Sequence, residues 1–141
     1  MEFAEAGRAQ WRDVTDLYAA AGYGAAIEET DIVIVAKHGG QIVGAVRLCA
    51  EEGVTVLRGM QVKKTFQRQG IGSGLLAACR PYLNRGEAYC LPYAHLVSFY
   101  ASAGFEVVPG TDLPAFLGQR LSSYLAGSRE VVAMRRVAKT R

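Results

Sequence analysis

Residues Gln67 to Gly74 read Gln-Arg-Gln-Gly-Ile-Gly-Ser-Gly. They stand between a strand-like segment and a helix-like one. Glycine lets the backbone turn so that successive N–H groups point into one concavity. The helix that follows starts with unpaired N–H groups and the positive end of its dipole. Together these make a site for an anion, and a pyrophosphate suits it. Lys63, Lys64 and Arg68 add positive charge for a further phosphate, and Ser73 offers a hydroxyl. A tight strand-to-helix turn needs fewer glycines than the three found between Gly70 and Gly74. Which phosphate ligand is a separate matter. A Walker loop needs Gly-Lys-Ser/Thr, which is absent. Gly72, Gly74 and Ala77 match the Gly-x-Gly-x-x-Ala form of a dinucleotide loop. Against that form, the strand ends too early and no acidic residue stands where the ribose contact belongs.

The elements around this loop follow from periodicity. Trp11, Val14, Leu17 and Tyr18 recur at helical spacing, and this first helix ends near Gly22. Asp31 to Lys37 is rich in Ile and Val and reads as a buried strand. Gly39-Gly40 tolerates the positive φ of a two-residue hairpin, so Ile42 to Cys49 returns antiparallel. A second turn at Glu51-Glu52-Gly53 leads into a third long strand, Val54 to Val62. Its alternation puts Val54, Val56, Arg58, Met60 and Val62 on one face and Thr55, Leu57 and Gln61 on the other. Gly59 inside it marks a candidate β-bulge. After the loop, Ile71, Leu75, Cys79 and Leu83 repeat every fourth position, and Pro81 ends or kinks that helix. A strand at Ala88–Leu91, a helix at Ala94–Ala103 capped by Gly104, a strand at Phe105–Val108, a helix at Pro114–Leu125 and a closing strand at Glu130–Arg136 complete the order. Hairpins first, then alternating strands and helices, imply a mixed sheet with helices on its faces.

Composition narrows the function. The 141 residues fit one domain, 1–141, and 50% hydrophobic with 21% charged is globular. A net charge of +3 is too small to argue for nucleic acid, though mildly favourable for an anionic ligand. The cluster Arg135, Arg136, Lys139 and Arg141 reads as a solvated tail. The start carries Glu2, Glu5 and Arg8 and has no signal-peptide core, and the longest apolar run, Ile32 to Ala36, is too short for a membrane span. Cys49, Cys79 and Cys90 have no metal-type spacing, so no metal is expected. They read as buried thiols of a cytoplasmic protein.

Gln67-x-x-Gly70-x-Gly72 resembles the acetyl-CoA signature, Gln/Arg-x-x-Gly-x-Gly/Ala, of the GNAT N-acetyltransferase superfamily. Met60-Gln61-Val62 before the loop and Leu75-Leu76 after it are similar to that family too. Ser98-Phe99-Tyr100-Ala101-Ser102-Ala103-Gly104-Phe105 resembles its Phe-Tyr…Gly-Phe segment. The likeness runs from Val54 to Phe105. It implies an α/β (α+β) fold whose mixed, mostly antiparallel sheet has about six to seven strands. That sheet is splayed open between its fourth and fifth strands, helices cover both faces, and acetyl-CoA is the co-substrate in the gap. By position, the backbone of Met60, Gln61 and Val62 faces the acyl and pantetheine part. Gln67, Arg68, Gln69, Gly70, Ile71, Gly72, Ser73 and Gly74 form the pyrophosphate loop, and Tyr100 lies near the thioester sulfur. Where relatives often carry Asn, this chain has Tyr93; His95, Leu96 and Ser98 line the same helix.

The implied reaction is direct attack of a primary amine on the thioester in a ternary complex. An alkylamine is neutral only about once in 2,500 molecules at pH 7, a deficit of about 4.6 kcal/mol that a base or a desolvated site must offset. An N–H beside the Gly59 bulge can serve the oxyanion, and Tyr100 can hydrogen-bond the departing thiolate. The base stays open among Glu28, Glu29, Asp31, His38, His95 and a water chain. Helix Pro114–Leu125 either folds over the acceptor as a lid or simply packs on the core. A small-molecule or peptide amine is the expected partner, without nucleic acid or membrane, and a homodimer is left open. Two competing readings stand beside it: a non-catalytic acyl-CoA-binding regulatory domain and a Rossmann-type nucleotide binder.

Overall fold

Two tight hairpins build the first half of the sheet. Gly39 and Gly40 have φ of 57° and 81°, and Glu52 and Gly53 have 47° and 86°, in the computed structural model, which describes residues 1–138. Two successive residues at positive φ match the twist of a hairpin, which is why these turns close so sharply. They join β2 (Ile32–His38), β3 (Gln41–Glu51) and β4 (Val54–Val62) in antiparallel register, His38 opposite Gln41 and Glu51 opposite Val54. A short strand, β1 (Glu2–Glu5), pairs with β2 at the sheet edge. The sequence does not announce it: four residues with charge at both ends and only Phe3 half-buried carry no readable alternation.

The second half adds β5 (Ala88–Cys90), β6 (Glu106–Val108) and β7 (Ala133–Arg136), giving the order β1-β2-β3-β4-β5-β7-β6. Every pairing is antiparallel except β4 with β5. Those two pair only at Thr55–Ala88 and Val56–Tyr89. Past Val56, the edge of β4 that faces β5 has no strand partner among the described residues, and the sheet splits open.

One face packs Ile34, Val43, Leu57 and Met134 under α2 (Ile71–Ala78), α3 (Arg80–Leu83) and α4 (Val97–Ala101). Val33, Val35 and Ala45 hold α1 (Trp11–Ala20) on the opposite face. Val56, Tyr89 and Ala133 hold α5 (Ala115–Ala126) there through Leu117. Ile71, Leu75, Cys79 and Leu83 are all buried, as their four-residue repeat predicts. Burial of each such aliphatic side chain contributes about 1.5–3 kcal/mol.

Three expectations need correction. β4 does not keep one alternation. Gly59 and Met60 together oppose Val46 in the register, so the extra residue flips the parity. Val56 therefore faces the α5 side, while Leu57, Met60 and Val62 share the α2 side. The helix expected over Ala94–Ala103 is a 3-10 turn, Ala94–Leu96, followed by α4, because Leu96 at φ −102° and ψ 8° interrupts it. Arg136 is no tail residue. It is buried in β7, donating to Ala103 O at 2.8 Å, Leu83 O at 2.8 Å and Asn84 Oδ1 at 2.7 Å. Leu83 O closes α3 and Ala103 O lies just past α4, where carbonyls lack helical partners. Lys139 and Arg141 lie outside the described residues. No helix among the described residues is long and apolar enough to cross a membrane.

Candidate active site

The glycine loop starts where β4 stops. A 3-10 turn at Lys64–Phe66 leads to Gln67 in an extended conformation. Arg68 and Gly70 then take positive φ, 64° and 79°. The alternation turns the chain into α2 without a capping side chain. Among the described residues, no backbone acceptor engages the amides of Arg68, Gln69, Gly70, Ile71, Gly72 or Ser73. The amide of Gly74 is already used: it donates to Gly70 O at 3.0 Å. Its missing side chain has a packing reason, since a Cβ there overlaps the Phe3 ring of β1. Gln67 reaches back and donates from Nε2 to Val62 O at 3.1 Å, fastening the loop to the end of β4. Arg68, Gln69, Lys63 and Lys64 are exposed.

Beside the loop lies a cavity of about 780 Å³ whose wall includes Gln61–Thr65, Gln67 and, from α1, Asp13, Asp16 and Leu17. A second cavity, about 610 Å³, fills the split between β4 and β5. Ala21 and Gln61 belong to both walls, so the two adjoin along β4. Both volumes suit a small organic ligand.

Tyr100 closes the inner end of the second cavity. Its ring makes edge contacts with Phe99 and Phe105, at centroid distances of 4.9 and 6.3 Å. The residue is 7% exposed. Its hydroxyl has no hydrogen-bond partner among the described residues, yet it is not among the sealed polar atoms. It is therefore free to donate to something in the cavity. Burial pushes its phenol well above the ordinary value, so the group keeps its proton. Met60, Gln61, Tyr93 and Leu96 also line this cavity, whereas His95 and Ser98 are exposed and do not.

Under the bulge sits a buried polar cluster that sequence reasoning missed. Arg47 donates to Asp31 Oδ2 at 3.1 Å, to Ala26 O at 3.2 Å and to the Tyr23 hydroxyl at 3.2 Å. Asp31 also accepts from Glu28 N at 2.9 Å. An Asp31 so engaged lines neither cavity and cannot serve an amine. Glu28 and Glu29 are exposed, and Glu29 pairs with Arg8. His38 packs on the Phe66 ring, 5.3 Å between centroids. None of the carboxylates or imidazoles considered as a base therefore reaches the split. The segment from Tyr23 to Asp31 carries no spacing that points to this cluster, and none names Arg47.

The comparisons decide the family. The family model described as an acetyltransferase (GNAT) domain matches residues 29–107, more than half of the chain. The chain belongs to the GNAT acetyltransferase family. No match was found among curated proteins. The GNAT fold is equally clear in solved structures. An aminoglycoside 6'-N-acetyltransferase complexed with coenzyme A superposes with a TM-score of 0.74 at 15% identity, over 100% of this chain and 99% of that one. The ribosomal-protein-S18-alanine N-acetyltransferase of Escherichia coli gives 0.73 at 14% identity, over 99% and 95%. The N-acetylglutamate synthase of Neisseria gonorrhoeae, complexed with coenzyme A and N-acetyl-glutamate, gives 0.70 at 15% identity. There the chain covers 99% of itself but spans only 35% of that protein. The GNAT match takes in the loop, the bulge and Tyr100, and stops short of α5 and β7. The residues that α5 and its following loop bring to the cavity, Arg120, Tyr124 and Arg129, lie outside it. Leu117 of helix α5 is core, as its apolar stripe suggests, and Arg120 and Tyr124 line the cavity. Among the described residues no group of three His, Cys, Asp or Glu gathers to hold a metal ion.

Proposed function

We infer that this single-domain protein is an acetyl-CoA-dependent N-acetyltransferase acting on a primary amine by direct attack in a ternary complex. One observation carries the reading: a run of unengaged amides, Arg68 to Ser73, follows directly on Gln67 in the wall of one cavity, and that cavity adjoins the one lined by Tyr100 with its free hydroxyl. Amides at a helix start bind a diphosphate, and an open strand edge can pair with the amide groups of a pantetheine arm. The same dimensions do not favour a Rossmann binder, whose dinucleotide sits at a strand crossover of a doubly wound parallel sheet. Here, among the described residues, the only parallel pair is β4 with β5.

Bound there, acetyl-CoA supplies an acyl thioester to an amine. Arg68, Gln69, Gly70, Ile71, Gly72 and Ser73 hold the diphosphate with their amides. Gln67 keeps the loop seated on β4. The open edge at Met60, Gln61 and Val62 orients the acyl arm. An amide at the Gly59 bulge stabilises the oxyanion as it forms. Tyr100 donates to the sulfur as the carbon–sulfur bond breaks. Thiol release tests this. Tyr100→Phe is expected to lower kcat about a hundredfold with acetyl-CoA affinity unchanged; unaltered turnover removes Tyr100 from the reaction.

A second reading, an acyl-CoA-binding domain without turnover, has one observation in its favour: among the described residues no carboxylate or imidazole lines the split. Absence of thiol release across an amine library, with coenzyme A still bound, selects it.

A further inference from the structure

The wall of the β4–β5 cavity carries three cations, Arg58, Arg120 and Arg129, and no Asp or Glu among the described residues. Glu51 stands behind this wall. It accepts from Arg120 at 2.7 and 3.3 Å and from Arg58 at 3.5 Å. Despite partial burial, these two guanidiniums hold the Glu51 carboxyl below its usual range, so it stays ionised. One carboxylate among three guanidiniums leaves a net charge of two positive on the cavity side.

Arg129 is the cation without an acidic partner among the described residues. Its guanidinium lies over the Tyr124 ring, 4.7 Å from the centroid. The backbone beneath it is fixed. Ser128 has φ 65°, and Arg129 N donates to Tyr124 O at 3.1 Å. The next residues are laced to the β5 end of the split: Ala94 N donates to Glu130 O at 2.8 Å, Val131 bridges Tyr93, and Val132 N donates to Pro92 O at 2.9 Å. Glu130 itself is exposed and outside the wall. A stacked, backbone-anchored guanidinium facing a cavity is a fork for a carboxylate.

Resting on the acetyltransferase reading, we propose that the acceptor is a small amine that bears a carboxylate, an α-amino acid or a close analogue, gripped by Arg129 with Arg120 beside it. The positive wall has a second effect. It disfavours the ammonium form of the acceptor, so the neutral nucleophile becomes more abundant without a dedicated base. A polycationic acceptor, by contrast, meets like charge.

The test is a panel of α-amino acids, their methyl esters and the matching decarboxylated amines, with kanamycin as a polycation, read by thiol release. Esters have the more acidic ammonium and so the more abundant free amine, which biases the assay against the proposal. The expected result is a free acid preferred over its ester and amine at least about tenfold in kcat/KM, with kanamycin poorest. In Arg129→Gln this preference shrinks towards one through acceptor KM, while acetyl-CoA affinity holds. A parallel arm measures binding of N-acetyl amino acids and their methyl esters to the coenzyme A-saturated protein. Acids bind more tightly there, and only in the wild type. Preference for esters or kanamycin, or an Arg129→Gln variant with an intact acid preference, overturns the proposal. Should no amine release thiol, the acetyltransfer reading fails on its own, and the binding arm alone decides for or against an anion site.

Discussion

The Tyr18 hydroxyl lies 2.6 Å from the point where a Cβ on Gly59 belongs. The Arg47 Nε stands 3.2 Å from the same point, and Gly59 has φ 69°. A side chain at this position is thus opposed twice, by backbone strain and by a buried phenol. The bulge that shapes the β4 edge of the split therefore depends on α1, which brings Tyr18 to the other side of the strand. Tyr18 OH and Arg47 Nε are both sealed and without partners among the described residues.

Gly59→Ala should cost about 2–4 kcal/mol in denaturant unfolding, from positive φ and overpacking together. Adding Tyr18→Phe should recover part of that loss, because the phenyl ring lacks the clashing oxygen. Tyr18→Phe alone should be close to neutral, since the hydroxyl it removes is unsatisfied. Equal losses in the single and double variants contradict this coupling.

The pH dependence of kcat follows from the Tyr100 phenol. Burial raises its pKa, so deprotonation of this donor is deferred to higher pH. Turnover should climb as the acceptor amine loses its proton and show no descending limb below about pH 10. A descending limb that already sets in below about pH 10, absent from Tyr100→Phe, indicates a phenol with an unshifted pKa and contradicts the burial argument.

Gln67→Ala removes the single fastening of the loop to Val62 O. A partly exposed hydrogen bond of this kind is worth about 0.5–1.5 kcal/mol. Acetyl-CoA affinity should therefore weaken about threefold to tenfold, with kcat nearly unchanged. Titration calorimetry reads the first and thiol release the second.

Arg136→Met tests the corrected role of that residue. The substitution keeps much of the buried volume but leaves Leu83 O, Ala103 O and Asn84 Oδ1 without their donor. Unfolding free energy should drop by about 3 kcal/mol. A loss below about 0.5 kcal/mol returns Arg136 to the solvated tail.

The glycine loop and the two hairpins were legible because they depend on local rules. Gly39-Gly40 and Glu52-Gly53 specify hairpins, and Ile71, Leu75, Cys79 and Leu83 mark one helical face. Gly59 announced a bulge, but strict alternation applied across it put Met60 and Val62 on the wrong side. What stayed hidden depends on contacts between distant positions. Arg47 meets Asp31 across a hairpin, Glu51 meets Arg120 from α5, and Arg136 meets the ends of two helices. No spacing rule connects such pairs. Gly74 carried two meanings, loop glycine and packing contact for Phe3, and only the fold separates them.

The most direct test titrates coenzyme A and pantetheine separately into the folded protein by calorimetry. In the proposed function, the amides of Arg68 to Ser73 hold the diphosphate. Coenzyme A should bind with a dissociation constant on the order of micromolar, and pantetheine, which lacks the diphosphate, at least about tenfold more weakly. No heat from coenzyme A, or equal affinity for the two, contradicts the account.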